Sequence, residues 1–140
     1  MKKLFFFLAV FVFSTVIISD SAASHTPPAL TRVVTHIDIT SQQENATIQR
    51  HYHNTEKVES VLLYLRLLRP LYKPEVDPDT IDGDVYEIKL HYSDGQSRTY
   101  RQKAHRFISS DRHPWQTVDP EHAAGLYELM RYYPSDPPEL

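Results

Sequence analysis

No cysteine occurs in the 140 residues of this chain. Disulfides, thiolate metal sites and thiol nucleophiles are therefore excluded, and stability must come from a packed core. Glycine is scarce, at three residues, which leaves few places where backbone can approach a ligand closely. The chain has no phosphate-cradling glycine loop, no G-x-S-x-G elbow and no H-E-x-x-H pair. The common signatures of nucleotide binding, serine hydrolysis and zinc proteolysis are thus missing. A cationic excess is missing too: 15 Lys and Arg stand against 18 Asp and Glu, a net charge of −3. That balance argues against a nucleic-acid partner.

One long apolar run is present, and it lies at the N-terminus. Lys2 and Lys3 precede the stretch from Leu4 to Ile18, which only Ser14 and Thr15 interrupt. Ser21-Ala22-Ala23 then places small residues at the −3 and −1 positions of a cleavage site. This is the layout of a secretory signal peptide over residues 1–23. The run is shorter than the roughly 20 apolar residues that span a bilayer. We therefore expect cleavage after Ala23, no stable membrane anchor afterwards, and a protein that is secreted or extracytoplasmic, in the cell wall or periplasm of a bacterium. Cleavage removes Lys2, Lys3 and Asp20, leaving 13 cations against 17 anions, a net of −4. The remainder suits one domain. It divides into a flexible lead-in over 24–29, a single α+β domain over 30–133, and a Pro-rich tail over 134–140 that is expected to be mobile.

Within the domain the hydrophobic period switches between 2 and 3.6. Leu30 to Thr40 and Ala46 to His53 alternate as two half-buried strands of a first hairpin. Pairing Ile37 with Ile48 would set Val34 opposite His51. Val58, Val61, Leu62, Leu65 and Leu68 then form one stripe of a helix capped by Asn54 or Thr55 and stopped by Pro70, with Leu63, Tyr64 and Leu67 widening the buried side. A second hairpin follows over Val85 to Tyr92 and Ser97 to Ala104, around Asp94-Gly95. A two-residue turn would put Thr99 opposite Leu90 and spoil the apolar face, so a longer or bulged turn is predicted, with Tyr100 at that position. Asp119 and Pro120 start a second helix, in which Ala123, Leu126, Leu129, Met130 and Tyr133 give the buried side and Gly125 marks close packing or a marginal helix. The predicted architecture is ββαββα: a four-stranded antiparallel sheet of two hairpins with both helices on one face.

Eight histidines invite a metal reading. His51 and His53 project to one side of a strand, and His36 lies near them in the first hairpin. These three imidazoles could take Zn²⁺ or Cu²⁺, with Asp38 the only carboxylate near enough to orient them. The sheet face away from the helices would carry His36, Asp38, Gln49, His51, His53, Glu87, Lys89 and His91. Asp77, Asp79, Asp82 and Asp84 resemble a calcium loop, but Gly83 stands at the seventh position and Ile88 at the twelfth, so they read as a solvated acidic turn.

Arg98, Arg101, Lys103 and Arg106 make a basic stretch that could face an anionic surface such as a wall polymer, or pair with Glu87 and the acidic loop. Trp115, the only tryptophan, is expected to plug the core. From these residues alone, the expected function is an exported, non-catalytic binding or interaction module with a protein or cell-wall polymer as partner. The alternatives are a histidine-based metal-binding protein and, last, a small hydrolase.

Overall fold

The computed structural model describes residues 32–139. The expected signal peptide, the lead-in and residue 140 lie outside them. The elements run β1 (Val34–Gln43), β2 (Ala46–Tyr52), α1 (Thr55–Leu67), a 3₁₀ turn (Pro78–Thr80), β3 (Val85–Tyr92), β4 (Ser97–Lys103), β5 (Phe107–Ser110), β6 (Gln116–Thr117), α2 (Pro120–Ala123) and α3 (Gly125–Tyr132). Among the described residues no helix is long and apolar enough to cross a membrane.

The α+β class and the antiparallel sheet are as expected. The strand count is not: the sheet has six strands, ordered β2-β1-β3-β4-β5-β6, rather than four. The two hairpins join through β1 against β3, with Ile37 opposite Leu90 and Ile39 opposite Ile88. The extra strands β5 and β6 escape periodicity because four and two residues are too few to show it. Their entry turn also lacks the usual glycine signal. Ala104 and His105 both take positive φ, 55° and 51°, as a tight hairpin turn requires, and Arg106 N–H closes it on the Lys103 carbonyl at 3.1 Å.

Both registers differ from the expected ones. In the first hairpin Ile37 faces Tyr52 and Asp38 faces His51. The loop is only Glu44-Asn45, which slides β2 by four residues and keeps its apolar residues on the core side. In the second, Tyr92 N–H reaches the Gln96 carbonyl across Ser93-Asp94-Gly95, and Gly95 supplies the φ of +84°. The turn is longer than two residues, as the apolar face demanded. Arg98 stands opposite Leu90, and Tyr100 stands opposite Ile88.

All helices cover one face. Ile37, Ile39, Tyr52, Tyr86, Ile88, Leu90 and Ile108 meet Val58, Val61, Tyr64, Leu68, Ala123, Leu126 and Met130 in one cluster. Burying each large aliphatic side chain there contributes about 1.5–3 kcal/mol relative to exposure. The buried stripe of α1 centres on Val61 and Tyr64; Leu62 and Leu65 are only half-buried, and Leu63 and Leu67 are exposed. Asn54 caps α1 by accepting from the Glu56 N–H at 3.0 Å, and Asp119 caps α2 by accepting from the Glu121 N–H at 3.0 Å. A β-carbon at Gly125 would stand 3.7 Å from the Tyr64 ring, an ordinary van der Waals contact, so the packing there does not require glycine.

One polar group is built into this core. Gln102 is fully buried. Its Nε2 donates to the Ala123 carbonyl at 2.9 Å, and its Oε1 accepts from the Tyr64 hydroxyl. This ties β4 to α1 and α2 with its side-chain hydrogen-bonding groups engaged, as a buried amide requires. The Tyr64 hydroxyl is pushed well above its ordinary pKa by burial.

Both sheet edges are covered. Leu71 N–H donates to the Thr117 carbonyl and Thr117 N–H to the Tyr72 carbonyl, each at 2.8 Å. At the other edge, Asp136 N–H donates to the His51 carbonyl at 2.8 Å. Covered edges resist strand pairing with other chains. The C-terminal segment expected to be mobile is held by these bonds.

Candidate metal centre

Alternation along β1 sends Ile37, Ile39 and Ser41 into the core and His36, Asp38, Thr40 and Gln42 to the helix-free face. β1 is flanked by β2 on one side and β3 on the other, so Asp38 sits opposite both His51 and Lys89, and His36 opposite His91. The result is a cluster of three imidazoles around one carboxylate.

Asp38 is its centre. Its Oδ1 accepts from His51 Nδ1 at 2.6 Å and its Oδ2 from His91 Nε2 at 2.8 Å. Burial works to raise the Asp38 pKa, but the hydrogen bonds from His51 and His91 outweigh it and hold the carboxyl below its usual range. The carboxylate is thus ionised and acceptor-only, so each of these two imidazoles gives it an N–H.

His36 stacks on His91 with ring centres 4.0 Å apart and planes 11° from parallel. Its Nδ1 lies 3.1 Å from Thr35 Oγ1, which itself donates to the His91 carbonyl at 3.2 Å. Thr35 sits where the β1–β3 register shifts, between Val34 and His36, and its hydroxyl lies beside the His36 ring nitrogen. Burial first, and then the adjacent His91, lower the His36 pKa; Asp38 acts the other way. Burial and His91 both favour the neutral form of His36, the form that binds metals.

Ligand atoms of His36, Asp38 and His91 all lie within 4.8 Å of one another. Around a tetrahedral ion with bonds of about 2.0–2.2 Å, ligand atoms stand roughly 3.4 Å apart. An ion would have to displace the His91 N–H from Asp38, and Asp38 is 45% exposed, open to solvent.

Of the sequence-derived metal ligands His36, His51 and His53, the structure gathers the first two at Asp38. His51 contacts the carboxylate, and its ring lies 5.5 Å from His36. His53 turns instead to the C-terminal segment, its Nε2 donating to the Pro137 carbonyl at 2.8 Å. His91 was not among the expected ligands although it was assigned to the same face. Nothing in the local sequence states which strand lies beside β1, and only the β1–β3 pairing brings His91 to His36.

The basic stretch does not form one surface. Arg101 and Lys103 share the helix-free face, with Arg101 opposite Glu87 and beneath it Trp115, whose ring is 5.6 Å from the guanidinium. Arg98 points to the other face, against the Tyr100 ring at 4.9 Å, and Arg106 lies over Phe107 at 5.1 Å. Trp115 is half-buried under this cation and is not a plug of the core. Asp77, from the acidic loop, caps the 3₁₀ turn by accepting from the Asp79 N–H at 3.0 Å.

A scan against protein-family models and searches of curated proteins and of solved structures find no match to this chain.

Proposed function

We propose that this chain is an extracytoplasmic, non-catalytic binding module whose ligand is a divalent transition ion, Zn²⁺ or Cu²⁺. His36, His91 and Asp38 would hold the ion, and His51 would fix the Asp38 carboxylate from the opposite side. The observation that carries the reading is the convergence of these three ligand atoms within 4.8 Å on an otherwise solvated sheet face. Two imidazoles and a carboxylate suit Zn²⁺ and Cu²⁺ rather than Ca²⁺ or Mg²⁺, which favour all-oxygen shells. A hydrogen bond from His51 to the ligating carboxylate is the kind of outer contact that orients metal ligands. Three protein ligands leave a coordination position open to water or to a partner's side chain. The extracytoplasmic location rests on the N-terminal 23 residues.

The test is titration of chelator-treated protein with Zn²⁺ and Cu²⁺, followed by heat release and by the shift in Tm. One ion per chain is expected, with binding lost in His36→Ala and His91→Ala. Absence of any saturable binding by the wild-type protein would overturn the reading.

A further inference from the structure

A second segment reaches the rim of the same face. Asp136 anchors it: its side chain is 5% exposed, and its Oδ2 accepts from the backbone N–H of His53 at 2.8 Å and of Asn54 at 2.7 Å. Its Oδ1 pairs with the Lys57 ammonium of α1. Ser135 Oγ accepts the His51 N–H at 2.8 Å, and Asp136 N–H donates to the His51 carbonyl at 2.8 Å. His51 is thus gripped on its outer side by this segment, while its ring holds Asp38. Beyond the anchor, the segment lies against His53. His53 donates to the Pro137 carbonyl, and Glu139 brings Oε1 to 3.6 Å from His53 Nδ1. The rings of His53 and His51 lie 5.7 Å apart.

We propose that residues 134–139 are a strap belonging to the metal face: Ser135 and Asp136 position His51, and Glu139 stands at the rim as a further carboxylate for the bound ion. This rests on the metal reading above and adds a regulator to that site. β2 is the edge of the sheet, so the outward backbone groups of His51 have no neighbouring strand to hold them. The strap supplies that hold at His51, whose ring holds the ligating carboxylate from the β2 side. Two neutral imidazoles and one carboxylate leave a divalent ion with a net positive charge. A second carboxylate nearby offsets it. The Glu139 side chain is 74% exposed, with its carboxylate beside His53, whose ring lies 5.7 Å from that of His51.

The experiment compares Zn²⁺ affinity, by competition with a chromophoric chelator, in the wild-type protein, in Glu139→Gln and in a chain lacking residues 137–140. Tm without metal is read for each. Both variants keep Ser135 and Asp136, so unchanged Tm is expected together with about 10-fold weaker binding. Ser135→Ala, which frees the His51 N–H, should weaken binding as well. Wild-type affinity in Glu139→Gln and in the shortened chain, alongside lost binding in His36→Ala, would overturn the strap and leave the metal reading standing. Absence of Zn²⁺ binding by the wild type would overturn both. Should the shortened chain fail to fold, Glu139→Gln, which touches no bond of the anchor, decides.

Discussion

His51 and Asp38 face each other across β1 and β2, with the imidazole Nδ1 2.6 Å from the carboxylate. The same carboxylate takes His91 from the opposite strand at 2.8 Å. One residue on a central strand therefore collects partners from both neighbours, something no single hairpin could arrange.

Asp38→Asn should weaken Zn²⁺ binding by about 10- to 100-fold, the usual effect of disturbing a metal site's carboxylate shell. The pair is solvent-exposed, so the stability of the metal-free protein should fall by less than about 1 kcal/mol. Competition binding and urea denaturation of the same samples separate the two effects. Equal affinity in mutant and wild type would remove Asp38 from the site.

Removing metal should leave the fold intact. The histidine cluster lies on the helix-free face, while the core lies between the sheet and the helices. Far-UV circular dichroism in chelator should show unchanged helix and strand content. An unfolding transition on chelation would mean that an ion is part of the fold.

Core contributions should divide by burial rather than by residue type. Leu126 is fully buried and Leu63 is 50% exposed. Leu126→Ala should cost about 2–5 kcal/mol, and Leu63→Ala should stay within about 0.5 kcal/mol. Leu62 and Leu65, half-buried, should fall between. Denaturant midpoints at equal slope test the ranking.

Tyr64→Phe should destabilise the protein by about 1–3 kcal/mol. It keeps the ring but removes the donor to Gln102 Oε1, leaving a buried amide oxygen without that partner. A cost near zero in urea denaturation would mean that the hydroxyl contributes nothing net to the core.

Acid should loosen the C-terminal segment through Asp136. Burial alone would raise its pKa, but the bonds from Lys57, Asn54 and His53 prevail and lower it from 3.8 to about 2. The folded state therefore holds the proton less tightly than the unfolded state. The resulting stabilisation is present above the unfolded value and is lost as pH falls from about 4 through about 2. Urea midpoints against pH should show this loss in wild type and a flatter profile in Asp136→Asn. Parallel profiles would show that the carboxylate contributes no such linkage.

Much of the fold was legible locally. The alternation in β1 and β3, the stripe beginning at Val58, and the caps Asn54 and Asp119 each state a preference within a few residues of chain. The composition of the open face was legible as well, since period two decides which residues share a side once one face is apolar. β5 and β6 were not, because short strands carry no period and the Ala104–His105 turn lacks glycine. Nor was the docking of the C-terminal segment: Ser135 and Asp136 look like tail residues until β2 proves to be an edge with His51 in need of partners.

By itself, the sequence determined which side chains are polar, which are apolar, and at what period they recur. That was enough for the α+β class and for a polar strand face carrying His36, Asp38, His51 and His91. Tertiary structure alone decided neighbours: β3 beside β1, Asp38 opposite His51, and the C-terminal segment along the edge. The physical reason is that periodicity is a property of one segment, whereas strand order and register come from how segments far apart in sequence bury their apolar faces together. His36 and His91 are 55 positions apart in the chain and stack at 4.0 Å only because the core on the other side of the sheet brings β1 and β3 together.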